Sequence, residues 1–174
     1  DIRVTIREGL TINEIGELLE SKNIVTKDAF VEACKTEEFS YYFLNDLPER
    51  EQKLEGYLFP DTYFFLENMS PRAVIDKMLA RFDEIYTEEY IIRTAELGLS
   101  TDDVIKIASI IEKEVNVEAE RALAASVIYN RLNSDMKLQM CSSVLYVLGK
   151  RKDRLVDEDL QIDSLYNTYI YNGL

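Results

Sequence analysis

Apolar and polar positions alternate at the start of the chain. Ile2, Val4 and Ile6 are separated by polar residues, the period-two pattern of a strand buried on one face. Gly9 marks a turn, and Thr11 with Glu14 has the spacing of a capping box. The spacing then predicts a helix through Ile15, Leu18 and Leu19 that ends at Asn23. Ile24 and Val25 form a short apolar stretch, and Thr26 caps a second helix through Ala29, Phe30, Ala33 and Cys34. Residues 1 to about 50 therefore read as a small α+β module. Its last part, Phe39 to Leu47, is rich in rings (Phe39, Tyr41, Tyr42, Phe43) and stops at Pro48. Those rings suit first a core or an inter-module contact, with a platform for sugars as the alternative.

Arg50 to Lys53 is a charged connector. Residues 54–65 follow with β-like aromatic content broken by Gly56 and Pro60, which predicts a bent or edge strand. Ser70-Pro71 is an N-cap with proline at the first helical position, and the helix runs through Val74, Met78, Leu79, Phe82 and Ile85. Another helical pattern runs from Glu88 towards Leu97 and halts at Gly98. Ser100 or Thr101 caps the next helix, with Asp102 and Asp103 in its first turn, where the helix dipole favours acids.

That helix carries Ala108-Ser109-Ile110-Ile111-Glu112-Lys113-Glu114-Val115. At about 100° per residue, Val104, Ile107, Ala108, Ile111 and Val115 form one stripe. Glu112 falls at its edge, between Ala108 and Ile105, and Glu114 lies on the other flank between Ile107 and Ile110. A half-buried carboxylate is costly unless it is paired or binds its proton more tightly. Each glutamate is thus either a candidate general acid or a flank residue bonded to an arginine or a backbone amide. The wheel does not separate them.

After Asn116, residues 117–132 predict a helix apolar on most sides and hence buried. Ser126 and Asn130 interrupt it at i,i+4, either bonding across a helix contact or lining a polar groove. From Met136 the spacing loosens around Leu138, Gln139, Val144, Leu145, Tyr146 and Leu148. Charged residues 150–159 predict a solvated excursion. Tyr166-Asn167-Thr168-Tyr169 suits sugar recognition or a turn. The fold class is α+β, with the helices grouped in the second part.

Composition narrows the chemistry. Net charge −13, from 33 acidic against 20 basic residues, disfavours nucleic acid as a partner, because phosphate binding needs clustered Lys and Arg. The absence of histidine removes His triads, His metal sites and imidazole acid–base chemistry. Cys34 and Cys141 match no zinc spacing; they read as a disulfide or as two buried thiols. No apolar run approaches the roughly 18 residues of a membrane span. A chain that opens at Asp1 and stops at Asn172-Gly173-Leu174 reads as a piece of a longer protein.

Four stretches in order resemble the MltG (YceG-like) family of endolytic murein transglycosylases. Leu54-Glu55-Gly56-Tyr57-Leu58-Phe59-Pro60-Asp61-Thr62 is similar to the family's E-G-x-x-x-P-D/E-T segment. Ala108 to Glu114 is similar to its A-S-I-V/I-E-K-E helix. Asn130-Arg131-Leu132 with Met136-Lys137-Leu138-Gln139 is similar to N-R-L and M-x-L-Q. Tyr166-Asn167-Thr168-Tyr169 with Gly173-Leu174 is similar to the last block, which the family continues into Pro-Pro-Gly.

The resemblance implies a LysM-like βααβ module at 1–50 and a mainly helical catalytic domain at 51–174 with a short β element. It implies non-hydrolytic cleavage of the β-1,4 bond between N-acetylmuramic acid and N-acetylglucosamine, leaving 1,6-anhydro ends, with Glu112 as acid and then base. No metal or cofactor is implied. Gln139, Asn167, Tyr146, Ser126, Asn130 and Glu55 are the implied sugar-holding residues. The implied setting is a single-pass membrane anchor before Asp1, an extracytoplasmic catalytic part, peptidoglycan strands as substrate and wall-synthesis proteins as partners.

One departure stands out. The family pattern L-Q-S/T-D-P-T-V reads Leu138-Gln139-Met140-Cys141-Ser142-Ser143-Val144 here, so Cys141 replaces an acid and Ser142 a proline. That leaves a second reading, a glycan-binding or scaffolding protein with a degenerate cleft. A third, a hydrolase, needs a second carboxylate, for which Glu55, Asp61 and Glu114 are the candidates.

Overall fold

A computed structural model describes residues 1–45, 47–150 and 152–174. Asp46 of the aromatic segment and Arg151 of the charged excursion lie outside the described residues. The architecture is α+β: strands β1 (Ile2–Thr5) and β2 (Thr62–Phe65), with helices α1 (Ile12–Ser21), α2 (Lys27–Thr36), α3 (Pro71–Ile85), α4 (Glu88–Glu96), α5 (Thr101–Glu114), α6 (Arg121–Asn133) and α7 (Cys141–Leu148). Contacts divide the chain into two compact units, Asp1–Ile105 and Lys106–Leu174.

In the first unit β1 and β2 pair antiparallel, with Val4 opposite Tyr63 and Ile2 opposite Phe65. Ile6 extends the ladder by donating its N–H to the Asp61 carbonyl at 2.9 Å. A two-stranded sheet is not stable alone, and here it closes over a core that includes Val4, Ile15, Leu19, Phe30, Phe65 and Met78. The partner of β1 therefore comes from beyond residue 50, and the 1–50 segment does not close on itself. Ile24, in the short apolar stretch between α1 and α2, goes into that core instead of pairing as a strand.

Local signals place the helices. Thr11 and Glu14 form the capping box of α1, Thr26 caps α2, and Ser70 with Pro71 opens α3. Phe43 fills the core, stacked on Tyr57 at 5.5 Å and against Phe82 at 4.5 Å.

The 54–65 stretch is strand only in its last four residues. Gly56 has φ +92°, and a Cβ there would lie 2.6 Å from Ile105 Cγ2, so both the backbone conformation and the space require glycine. The charged connector is not simply solvated. Arg50 bonds both oxygens of Asp102 at 3.0 Å, and the buried Tyr57 hydroxyl donates to Asp102 at 2.8 Å. Asp102 thus answers a buried guanidinium as well as the dipole of α5.

In the second unit α6 starts at Arg121, after a 3-10 turn at Glu118–Glu120. It is not a buried helix: Ile128 is its buried residue, while Leu123 is 67% exposed. An all-round apolar pattern does not say how many faces find a partner, and this helix packs mainly one. The excursion at 150–159 is anchored by buried Asp159, which accepts from Lys152 Nζ at 2.5 Å and Val156 N at 2.8 Å. Among the described residues no helix is long and apolar enough to cross a membrane, and no cluster of three or more His, Cys, Asp or Glu could hold a metal ion.

Candidate active site

Helix α5 presents the two glutamates. Its start is fixed by a reciprocal cap: Asp103 N donates to Ser100 Oγ at 3.0 Å, and Ser100 N donates to Asp103 Oδ2 at 3.0 Å. Of the predicted stripe, Ile107 is buried, Val104, Ile111 and Val115 are half-buried, and Ala108 is exposed. The apolar flank expected around Glu112 is therefore only partly enclosed. The Glu112 side chain is 31% exposed, and its Oε2 meets Arg121 Nη2, at the start of α6, at 3.3 Å.

Glu114 has a different task. Its exposed carboxylate accepts the Ser142 N–H at 2.7 Å, at the first turn of α7. A carboxylate on free N–H groups at a helix start satisfies donors that have no partner inside the helix and opposes the positive end of the dipole. Both glutamates thus behave as flank residues can, one meeting an arginine and the other an amide. Glu114 is thereby tied to the backbone.

Gln139 is exposed, with φ +52°, the left-handed region that side chains other than glycine and asparagine rarely adopt. Neighbours hold it there. Its N–H donates to the Thr168 carbonyl at 3.0 Å, Met140 N donates to Thr168 Oγ1 at 2.8 Å, and Arg131 Nη1 donates to the Leu138 carbonyl. Ser143 Oγ adds a hydroxyl contact to Thr168 at 2.9 Å. Held backbone strain of this kind clusters at functional sites.

Asn167 is a correction. It is fully buried, and its side-chain amide donates to the carbonyls of Leu160 and Ile162 at 3.1 and 2.8 Å. Its Oδ1 accepts the Tyr169 N–H at 3.0 Å. Every polar atom of the side chain is spent on folding the 160–169 loop, so it does not face a sugar. The block is a turn, and its rings are what reach solvent: Tyr166 is 44% exposed and meets half-buried Tyr146 edge-on at 5.4 Å.

Glu55 also serves the fold. Its carboxylate accepts the Ile12 N–H at 3.0 Å and so caps α1 in the first unit. Asp61 is bonded to Thr62 N and Arg81 Nε, each at 2.7 Å. Ser126 and Asn130 both lie exposed on α6; the Ser126 hydroxyl donates to the Leu123 carbonyl of its own helix at 2.7 Å.

Neither cysteine is in a disulfide. Cys34 is buried, and burial pushes its thiol up to about 12. Cys141 is exposed at the first position of α7, with its Sγ 3.3 Å from the Tyr169 hydroxyl. That contact, with desolvation and the charges of Cys141 and Glu114, raises Tyr169 to about 12.

Sequence reasoning passed over Arg121. The available signal was a basic residue opening a helix, where the dipole disfavours it, in a stretch otherwise acidic from Glu114 to Glu120.

Comparisons with known proteins cover the whole chain. The model of the YceG-like family matches residues 1–174. An endolytic murein transglycosylase of Bacillus subtilis is 36% identical over 99% of this chain, which spans 51% of that relative. One from Streptococcus pneumoniae serotype 2 is 35% identical over 98% of the chain and 35% of its own length. A crystal structure of a yceG-like protein from Listeria monocytogenes superposes with a TM-score of 0.87 at 32% identity, covering 99% of this chain and 60% of that one. The chain thus spans about half or less of the curated relatives it matches.

Proposed function

This chain belongs to the YceG-like family, and on that premise we propose that it carries the catalytic part of an endolytic murein transglycosylase with Glu112 as its acid and base. Relatives named as endolytic murein transglycosylases support the activity. For the residue, one observation carries the reading: Glu114 is tied to the start of α7, while Glu112, half-buried on the same helix, meets an arginine in a loose contact.

In the proposed reaction Glu112 gives its proton to the glycosidic oxygen as the bond from muramic C1 breaks. The resulting carboxylate then takes the proton of the muramic C6 hydroxyl as O6 closes on C1. One carboxylate serves both steps because the nucleophile belongs to the substrate, whereas a hydrolase needs a second carboxylate. The three candidates for that second group, Glu55, Asp61 and Glu114, are each engaged in holding the fold. Gln139, Tyr146 with Tyr166, Ser126 and Asn130 are the proposed sugar contacts, and residues 1–50, completed by β2, the proposed LysM-like module. The proposed setting is outside the cytoplasm, anchored to the membrane and working with wall-synthesis proteins.

A non-catalytic glycan-binding role is the second reading. It is favoured by a thiol at position 141, against Tyr169, where the family pattern has an acid. Incubating the protein and Glu112→Gln with uncrosslinked glycan strands, and analysing the ends by mass spectrometry, decides between them. Anhydro-muramic ends from the parent, reduced at least about 100-fold in the variant, support catalysis. Reducing ends point to a hydrolase, and binding without cleavage overturns both enzymatic readings.

A further inference from the structure

We propose that Arg121 is a positioning residue for Glu112, holding its carboxylate between turnovers and steadying it as the proton acceptor in the second half of the reaction. This rests on the transglycosylase reading above. Three observations point to it. The ion pair is 3.3 Å long, looser than the roughly 2.7–2.9 Å of a tight charge-assisted hydrogen bond. Its side chains are 48% and 31% exposed, and pairs so open to water contribute little to stability. Arg121 is the first residue of α6 and Glu112 lies in the last turn of α5, each at the helix end where the dipole disfavours its charge. The fold gains little from either placement, so the pair is better explained by what it does to Glu112.

A loose, solvent-accessible pair can open. With Arg121 displaced by an entering strand, the Glu112 carboxyl is free to face the glycosidic oxygen, to which it gives its proton. Once that proton has gone to the leaving oxygen, the guanidinium returns to the new carboxylate without moving a proton itself. Closure of O6 on C1 then returns the C6 hydroxyl proton to Glu112. The other charged groups of this unit near the pair in sequence or structure are differently placed. Lys113 is exposed on α5, Glu118 and Glu120 are exposed in the 3-10 turn before Arg121, Glu114 caps α7, Arg131 donates to the Leu138 carbonyl, and Tyr169 bonds Cys141.

The test compares the parent with Arg121→Gln and Arg121→Lys. It reads the pH dependence of anhydro-end formation and the 13C NMR titration of the Glu112 carboxyl, assigned with Glu112→Gln. In Arg121→Gln the alkaline limb of kcat/KM and the NMR midpoint both move up together, because the carboxylate has lost a neighbouring cation. The lysine variant stays near the parent. An unchanged midpoint in a folded Arg121→Gln protein overturns the proposal. If the parent forms no anhydro ends, the transglycosylase reading fails, while the NMR comparison still decides whether Arg121 controls Glu112. Should the glutamine variant not fold, the parent is titrated from about 0.01 to about 1 M salt, which shortens the screening length from about 30 to about 3 Å. Relative to the exposed carboxyls of Glu118 and Glu120, which feel the same net charge, the Glu112 midpoint must then rise with salt, and a shift parallel to theirs overturns the proposal.

Discussion

Gln139→Gly separates strain from function at one position. Gln139 holds φ +52° while its N–H bonds the Thr168 carbonyl, a bond that glycine retains. A left-handed conformation costs an L-residue about 1–2 kcal/mol, and glycine gives back about 0.5–1 of that through its freer unfolded chain. The net expectation is a gain of about 0.5–1 kcal/mol, or a Tm rise of about 1–4 °C at this chain length. Gln139→Ala keeps the strained backbone and loses only an exposed side chain, so its stability stays within about 0.5 kcal/mol of the parent. If the amide holds the glycan, both variants lose a contact of about 1 kcal/mol, near fivefold in kcat/KM. Thermal unfolding and the anhydro-end assay, run on all three proteins, read the two effects independently. A glycine variant no more stable than the alanine variant refutes the strain argument. Full activity in both refutes the sugar contact, leaving φ as a turn device.

Three further outcomes are expected. Asn167→Ala strands the Leu160 and Ile162 carbonyls and the Tyr169 N–H, costing about 2–4 kcal/mol in urea denaturation; a raised KM with unchanged stability would instead restore a sugar-binding role. Asp61 is held below the usual carboxylate range by the Thr62 N–H and then Arg81, and Asp159 by Lys152 and then the Val156 N–H. Their stabilisation is complete above about pH 3.9 and lost as pH falls through their lower folded values. Urea midpoints measured downward from neutral pH should therefore fall in acid, less steeply in Asp159→Asn, and an identical profile in that variant counts against the assignment. Cys141→Asp places an acceptor against Tyr169 at the start of α7, and is expected to raise the rate of anhydro-end formation; an unchanged rate shows that the acid in the family pattern is not needed here.

Much of this protein was legible as local pattern. Thr11-Glu14, Thr26, Ser70-Pro71 and Ser100 open their helices because a cap is satisfied within four residues of itself. Alternation at Ile2, Val4 and Ile6 marked β1, and the four ordered motifs marked the family. Helix α7 was missed because eight residues beginning Cys141-Ser142-Ser143 are too few to establish a period. The stop at Gly149, in the left-handed conformation after an apolar run, was its available signal.

Contacts between distant positions decided the rest. The periodicity that put Glu112 and Glu114 on opposite flanks of one stripe held no information about α7 or α6. Those elements arrive 28 residues beyond Glu114 at Ser142, and at Arg121 beside Glu112. Likewise nothing near Asn167 in sequence says that its amide is used up on Leu160 and Ile162, or near Glu55 that it caps α1. By itself the sequence determined which residues could carry charge and chemistry. Only the tertiary structure decided which of them were spent on backbone groups and which remained accessible, because hydrogen-bond partners are assigned by proximity in space.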